Sequence, residues 1–278
     1  ENVFNIAIKG NFDDCQNLVK SMFADKKFSN DIKMSGVNSI NWARIIAQSV
    51  YYFYSYLSVE DANEPTNFSV PTGNFGDVYA GYLAKKMGLP IDKLIVATNQ
   101  NDILHRAISK GSYEAEKVSE TISPSMDIQI ASNFERLIFD LNNGDDQQTS
   151  LDMKNIKEKG QYLINDDKLN KISENFLSAR MSEDETLEVI KNVYEKFAVV
   201  LDPHTAIGYG AFDKHNLKGN NIVLATAHPC KFPGAIQSAI NVKAELPNEL
   251  TFVLDQKENY DIVENDIEKV KQHIKDRT

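Results

Sequence analysis

The chain has 278 residues, 42% hydrophobic and 25% charged, which is the balance of a globular protein with ample core material and excludes a disordered one. A formal net charge of -10 argues against broad electrostatic binding to nucleic acid, though not against a small anion held by backbone N–H groups. No apolar run reaches the ~18 residues of a membrane-spanning helix, and no charged-then-apolar signal pattern opens the sequence.

Residues 3–8 (VFNIAI) read as a buried strand that begins almost at once after Glu1, without a Met, as a piece of something longer would. The turn Lys9-Gly10-Asn11 leads to a helix over residues 12–23, with Cys15, Leu18, Val19, Met22 and Phe23 at helical spacing and Asp13 and Asp14 complementing its dipole. A long aromatic helix is expected over residues 38–57, capped by Asn38 or Ser39. Residues 67–70 then read as a strand, followed by a glycine turn, a helix over 78–87 stopped by Gly88, and a strand over 94–99. That is a β-α-β unit with parallel strands. Residues 101–110 and 131–141 read as helices, and 142–161 as a polar exposed stretch. Residues 183–197 form a helix whose Ser182 and Glu185 stand at capping-box positions. A strand over 221–227 ends in His228-Pro-Cys-Lys, and 261–275 is a charged terminal helix with a solvated face. The expected class is α/β, a mostly parallel twisted sheet with helices on both faces.

Four stretches carry residues suited to chemistry. In PTGNFGD, Gly73 and Gly76 permit close backbone approach, and the following helix points its N-terminal N–H groups into the turn, which suits a phosphate or an ordinary tight connection. It is neither a Walker loop nor G-x-G-x-x-G, so dinucleotide binding is not indicated. ATAHPCKF ends a strand where parallel sheets bind ligands and offers the neutral hydroxyl of Thr226, or is simply a capped loop. LDPHTAIGYG reads as a polar, glycine-bearing loop containing Asp202 and His204. NSINWAR gathers Asn38, Ser39, Asn41 and Arg44 at a helix start, apt for an anion or for capping alone. Spacing leaves each pair of readings open. The two cysteines, Cys15 and Cys230, form no C-x-x-C pair and the five histidines no close pair, so neither a zinc site nor a disulfide framework is expected, and a reducing cytoplasm suits the chain.

Together with GNFDDCQNLVK near the start and SMDIQIASNFERL in the middle, these stretches resemble the threonine synthase family in order, from near the start to beyond residue 230. The resemblance implies a fold type II pyridoxal-phosphate enzyme, similar to tryptophan synthase β and incomplete at its N-terminus. Residues 1–62 would be the remainder of a smaller domain, and 63–278 a large cofactor-binding domain with a helical insertion at about 110–200. Gly73, Asn74, Phe75, Gly76 and Asp77 would hold the phosphate of pyridoxal 5'-phosphate, and Thr226 would face its pyridine nitrogen. Asn38, Ser39, Asn41 and Arg44 would hold the substrate phosphate, with Asp202 and His204 lining the cleft. The family converts O-phospho-L-homoserine and water to L-threonine and phosphate, and the implied partner is that small molecule, with no nucleic acid or membrane.

The chain departs from the family in one respect. The Schiff-base lysine of the family lies in a Phe-Lys-Asp context ahead of all these motifs, and no such tripeptide occurs here, nor does the Ser/Thr/Gly-rich segment that follows it. Lys231 is no substitute, because the family motif already carries that lysine while another does the chemistry. The expectation is a C-terminal portion of a threonine synthase that is inactive alone. A related phospho-lyase releasing a keto acid and a non-catalytic module for a phosphorylated ligand are the alternatives.

Overall fold

The alternation of strand and helix is present in this computed structural model, which describes residues 2–10, 12–59, 61 and 63–277. The strands are β1 (Ile6–Lys9), β2 (Thr66–Pro71), β3 (Ile91–Thr98), β4 (Ser112–Glu114), β5 (Gln161–Leu163), β6 (Phe176–Arg180), β7 (Asn220–Val223) and β8 (Asp261–Glu264). The helices are α1 (Phe12–Ala24), α2 (Lys26–Asp31), α3 (Trp42–Leu57), α4 (Gly76–Lys86), α5 (Ile103–Lys110) and α6 (Phe134–Leu141). They continue with α7 (Asp146–Lys159), α8 (Asp166–Asn175), α9 (Glu183–Phe197), α10 (Pro203–Asp213), α11 (Pro233–Ile240) and α12 (Ile267–Lys275). Asn11 of the expected turn and Ala62 of the expected domain boundary lie outside the described residues, as do the side chains of Phe12, Asp13 and Gln16.

Contacts divide the chain into two units, Glu1–Gly36 with Leu246–Thr278, and Val37–Glu245. In this division, at 36/37 and 245/246, α3 belongs with the sheet that follows it and α12 with the first residues of the chain. In the first unit β1 pairs in parallel with β8, Ile6 beside Asp261, over a small core of Leu18, Met22, Phe28 and Val270. The expected terminal helix is therefore a strand for its first four residues. Its helical part starts after Asp266, whose carboxylate accepts from the N–H groups of Glu268 and Lys269 at 2.9 and 3.1 Å.

The second unit is built on a four-stranded sheet in the order β6-β3-β2-β7, every pair parallel. Every residue of β2 is buried, as expected when helices cover both faces of a parallel sheet. The two faces separate cleanly along β3. Leu94 and Val96 pack with Tyr52, Phe68, Val70 and Val78, while Ile95 and Ala97 pack with Ala179, Met181, Ile207 and Ala211. The segment expected as a helical insertion supplies β6, an edge of this sheet, besides α6 to α9. The polar stretch 142–161 is mostly the helix α7, anchored by buried Asp152, which accepts from Asn142 Nδ2 at 3.0 Å and from the Tyr162 hydroxyl at 3.2 Å.

The largest departure from expectation is α10, where a polar loop was read. Asp202 is its N-cap and Pro203 opens it, the residue types that start helices. Its glycines let it lie directly on the sheet. A Cβ on Gly208 would stand 3.0 Å from Pro71 Cγ and Val223 Cγ1, and one on Gly210 2.3 Å from Met181 Cε.

Gly81 plays a similar part in α4, where a Cβ would stand 2.4 Å from Tyr52 Cε1 and 2.9 Å from Leu94 Cδ2. The Tyr52 ring cannot easily yield, because its hydroxyl donates to Asp77 O at 2.9 Å and its ring packs on Phe68 at 4.9 Å. Alanine would gain about 1 kcal/mol of helix propensity but overpack at a cost of about 1–3 kcal/mol. Gly81→Ala should therefore lower the urea midpoint, and a raised midpoint would contradict this packing.

Candidate functional site

Because β2 and β7 are parallel neighbours, their C-terminal ends open side by side, the position at which parallel sheets bind ligands. Thr72 N–H donates to Ala97 O at 2.8 Å and Leu224 N–H to Ser69 O at 3.0 Å. Beyond these bonds the two chains separate, one into the turn before α4 and the other toward Thr226.

From Gly73 through Val78, no backbone N–H finds a protein acceptor among the described residues. Phe75 produces this arrangement. It adopts a left-handed conformation, φ 65° and ψ 5°, at the N-cap of α4. That conformation costs a non-glycine residue about 1–2 kcal/mol. The ring is 1% exposed and packs edge-on against Phe134 at 5.3 Å and beside Phe176 at 5.9 Å. Burial of such a ring contributes about 1.5–3 kcal/mol, enough to offset the strain. Asn74 fixes the other side of the turn. Its carbonyl accepts from Asn133 N and Nδ2, both at 3.1 Å, and its Oδ1 from Ser132 N at 3.3 Å. Only glycine fits at position 73, where a Cβ would lie 2.4 Å from Ser125 O.

This turn is one wall of a cleft of about 200 Å³, lined by residues 73–77 together with Ser39, Arg44, Gln48, Thr72 and Ser125. Arg44 is exposed, donates Nη1 to Val37 O at 3.0 Å, and pairs with no carboxylate among the described residues. Asn38 and Asn41, grouped with Ser39 and Arg44 on sequence, are not in the lining. Asn38 Oδ1 accepts from Ile40 N at 3.2 Å, and Asn41 Oδ1 accepts from Ala43 N at 2.8 Å as the N-cap of α3, the role expected of Asn38 or Ser39. Thr226 lines an adjoining cavity of about 470 Å³ with Gln48, Tyr51, Ser55 and Asp77, so Gln48 and Asp77 belong to both spaces. Gln48 was missed in the sequence, although it stands one helical turn after Arg44, whose carbonyl it binds at 3.0 Å.

Asp202 and His204 do not line either space; they are 1% and 4% exposed beneath it. Burial favours the neutral form of Asp202, but hydrogen bonds from His204 and Thr205 outweigh it and hold the carboxyl below its ordinary range. Lys231 is in neither lining, its Nζ resting 5.9 Å from the centre of the Phe232 ring. No group of histidine, cysteine and carboxylate side chains among the described residues could hold a metal, and no helix among them is long and apolar enough to cross a membrane.

Residues 205–274 match the family described as "Threonine synthase, C-terminal". The chain is 44% identical to threonine synthase of Pseudomonas aeruginosa over 277 residues, 99% of this chain and 59% of that protein. It superposes on the crystal structure of pyridoxal-phosphate-bound threonine synthase from Brucella melitensis with a TM-score of 0.94 and 46% identity, covering 99% of this chain and 60% of that one. For the yeast threonine synthase structure the TM-score is 0.89 and the identity 41%, over 99% and 59% of the two chains. The chain thus spans about three fifths of the length of these relatives. Its architecture is that of the fold type II pyridoxal-phosphate enzymes. Within that class the chain is similar to the threonine synthases over 99% of its length.

Burial pushes Asp77 up from 3.8 to about 6, with the Tyr52 hydroxyl bond pulling the other way. The native state then keeps a proton that the unfolded chain releases, so the contribution of Asp77 to stability falls as pH rises from about 4 to about 6 and is level above. Relative to the wild type, Asp77→Asn should gain up to about 3 kcal/mol across that window. Urea unfolding at several pH values reads the difference, and a pH-independent one would contradict the burial of this carboxyl.

Proposed function

We propose that this chain supplies the phosphate seat and the ring-nitrogen seat of a threonine synthase, which converts O-phospho-L-homoserine and water to L-threonine and phosphate. The observation that carries the reading is the set of backbone N–H groups at residues 73–77 that find no protein acceptor among the described residues and line one cleft with Arg44, which pairs there with no carboxylate. Backbone donors at the start of a helix and the positive end of its dipole are suited to a phosphate. A glycine whose Cβ position is filled by Ser125 O brings that backbone within reach of a ligand, so the residues present fit the cofactor phosphate. Pyridoxal phosphate, when bound, supplies an electron sink for negative charge developing beside the substrate amino group.

In this reading, residues 73–77 hold the cofactor phosphate and Thr226 offers the ring nitrogen a hydroxyl in place of a carboxylate, leaving that nitrogen less protonated. Ser39 and Arg44 take the substrate phosphate, Arg44 through the guanidinium donors its bond to Val37 leaves free. The lysine that bonds the cofactor and moves protons at Cα and Cβ comes, by the family pattern, from sequence outside these 278 residues. Free Cys15 and Cys230 fit a reducing cytoplasm.

The test uses the polypeptide at the full length of its relatives, supplied with pyridoxal phosphate and O-phospho-L-homoserine. Threonine and phosphate in equal amounts are expected, whereas ketobutyrate without threonine, or no visible absorption with the cofactor, would overturn the assignment. In the same protein Thr226→Ala should lower kcat about tenfold, the cost of one lost hydrogen bond to the cofactor ring, with cofactor phosphate affinity within about twofold. Equal losses in both would reduce Thr226 to a structural residue.

A further inference from the structure

Asp202 makes more bonds than a helix cap requires. Its Oδ1 accepts from His204 N at 2.9 Å, from His204 Nδ1 at 3.0 Å and from Thr205 N at 3.4 Å, while Oδ2 accepts from the Thr205 hydroxyl. A cap contributes about 1 kcal/mol and works on the surface, whereas burying a carboxylate costs several kcal/mol. Capping alone does not account for a carboxylate that is 1% exposed and has recruited two buried side chains.

Each of those side chains reaches one of the two seats. His204 Nε2 accepts from Ser125 N at 3.3 Å, which requires the proton on Nδ1, directed at Asp202. Ser125 O is in turn the atom packed where Gly73 has no Cβ, so this arm ends on the wall of the phosphate turn. Thr205 Oγ1 donates to Asp202 and accepts from Thr226 N at 3.4 Å, so the second arm ends on the backbone of the ring-nitrogen residue. Both outer bonds are at the long end for hydrogen bonds, so their alignment depends on how firmly the inner residues are held.

We propose that Asp202 is a positioning residue that sets the separation of the two seats, through His204 and Ser125 to the turn at Gly73 and through Thr205 to Thr226. The inference rests on the reading of those two places as cofactor seats. It assigns the Asp-Pro-His-Thr run to geometry rather than to contact with substrate.

The arms can be separated in the full-length protein by two readouts. The ratio of the Kd for pyridoxal to that for pyridoxal phosphate measures the phosphate seat, and the visible absorption maximum of the bound cofactor reports its ring end. His204→Asn keeps the donor to Asp202 but loses the acceptor for Ser125, and should lower the ratio about tenfold with the maximum unmoved. His204→Gln, whose side-chain oxygen can replace Nε2, should restore the ratio to within about threefold. Thr205→Val should shift the maximum and leave the ratio, and Asp202→Asn should change both. If His204→Asn and Thr205→Val alter the two readouts alike, or alter only the thermal midpoint, Asp202 is a fold residue and the proposal fails. A wild-type ratio near one has a different meaning, since it removes the phosphate seat itself and with it the reading beneath the proposal.

Discussion

The candidate site depends on a single strained residue. Phe75 is held left-handed because its ring is locked among Phe134, Phe176 and Tyr79, and in that conformation the N–H groups of the cleft-lining residues 73–77 find no protein acceptor among the described residues. Without the ring contacts the turn would relax into a conformation in which those donors could find carbonyls. The cup is thus maintained by the aromatic core beneath it rather than by polar contacts inside it. Asn74 and Asn133 add direction to this clamp, since Asn133 Nδ2 binds both Asn74 O and Ser39 O, at 3.1 and 2.9 Å, and so joins the turn to the start of the α3 segment.

The second element of the design is close approach. Helix α10 crosses the sheet with Gly208 against Pro71 and Val223, residues of the two strands whose ends form the site. Ser69 strengthens the contact by donating its hydroxyl to Gly208 O at 2.6 Å. A helix seated so low brings its N-terminal residues, Asp202 to Thr205, beneath both loops at once, which a helix standing off on larger side chains could not do.

Much of this was legible in the sequence where local chemistry decides. The capping box of Ser182 and Glu185 appears as read, and the strand-turn-helix around PTGNFGD is displaced by only a residue or two. The misreadings came where tertiary packing overrides local pattern. Gly208 and Gly210 looked like loop punctuation because a single sequence does not reveal that strand residues Pro71 and Val223 lie against the first and Met181 and Val189 against the second. Residues 221–227 looked like one buried strand, but pairing stops at Val223, before Thr226. Asn38, Ser39 and Asn41 are equivalent as caps by composition, and only the course of the chain selects Asn41. Gln48 lies outside every quoted stretch, and Ser125 opens SMDIQIASNFERL with no role legible there, since both join the cleft through the packing of α3 and the 3₁₀ turn at Pro124–Met126.

The ring contacts of Phe75 also bear on how the protein is made. Its partners Phe134 and Phe176 are translated well after it, so a nascent chain that ends after α4 holds that ring with Tyr79 and without those two. The cup is therefore expected to form only once β6 has emerged and packed. A chain stalled before that point displays the motif without the geometry, so ligand capture reports completion of the fold and not merely the presence of its most recognisable sequence.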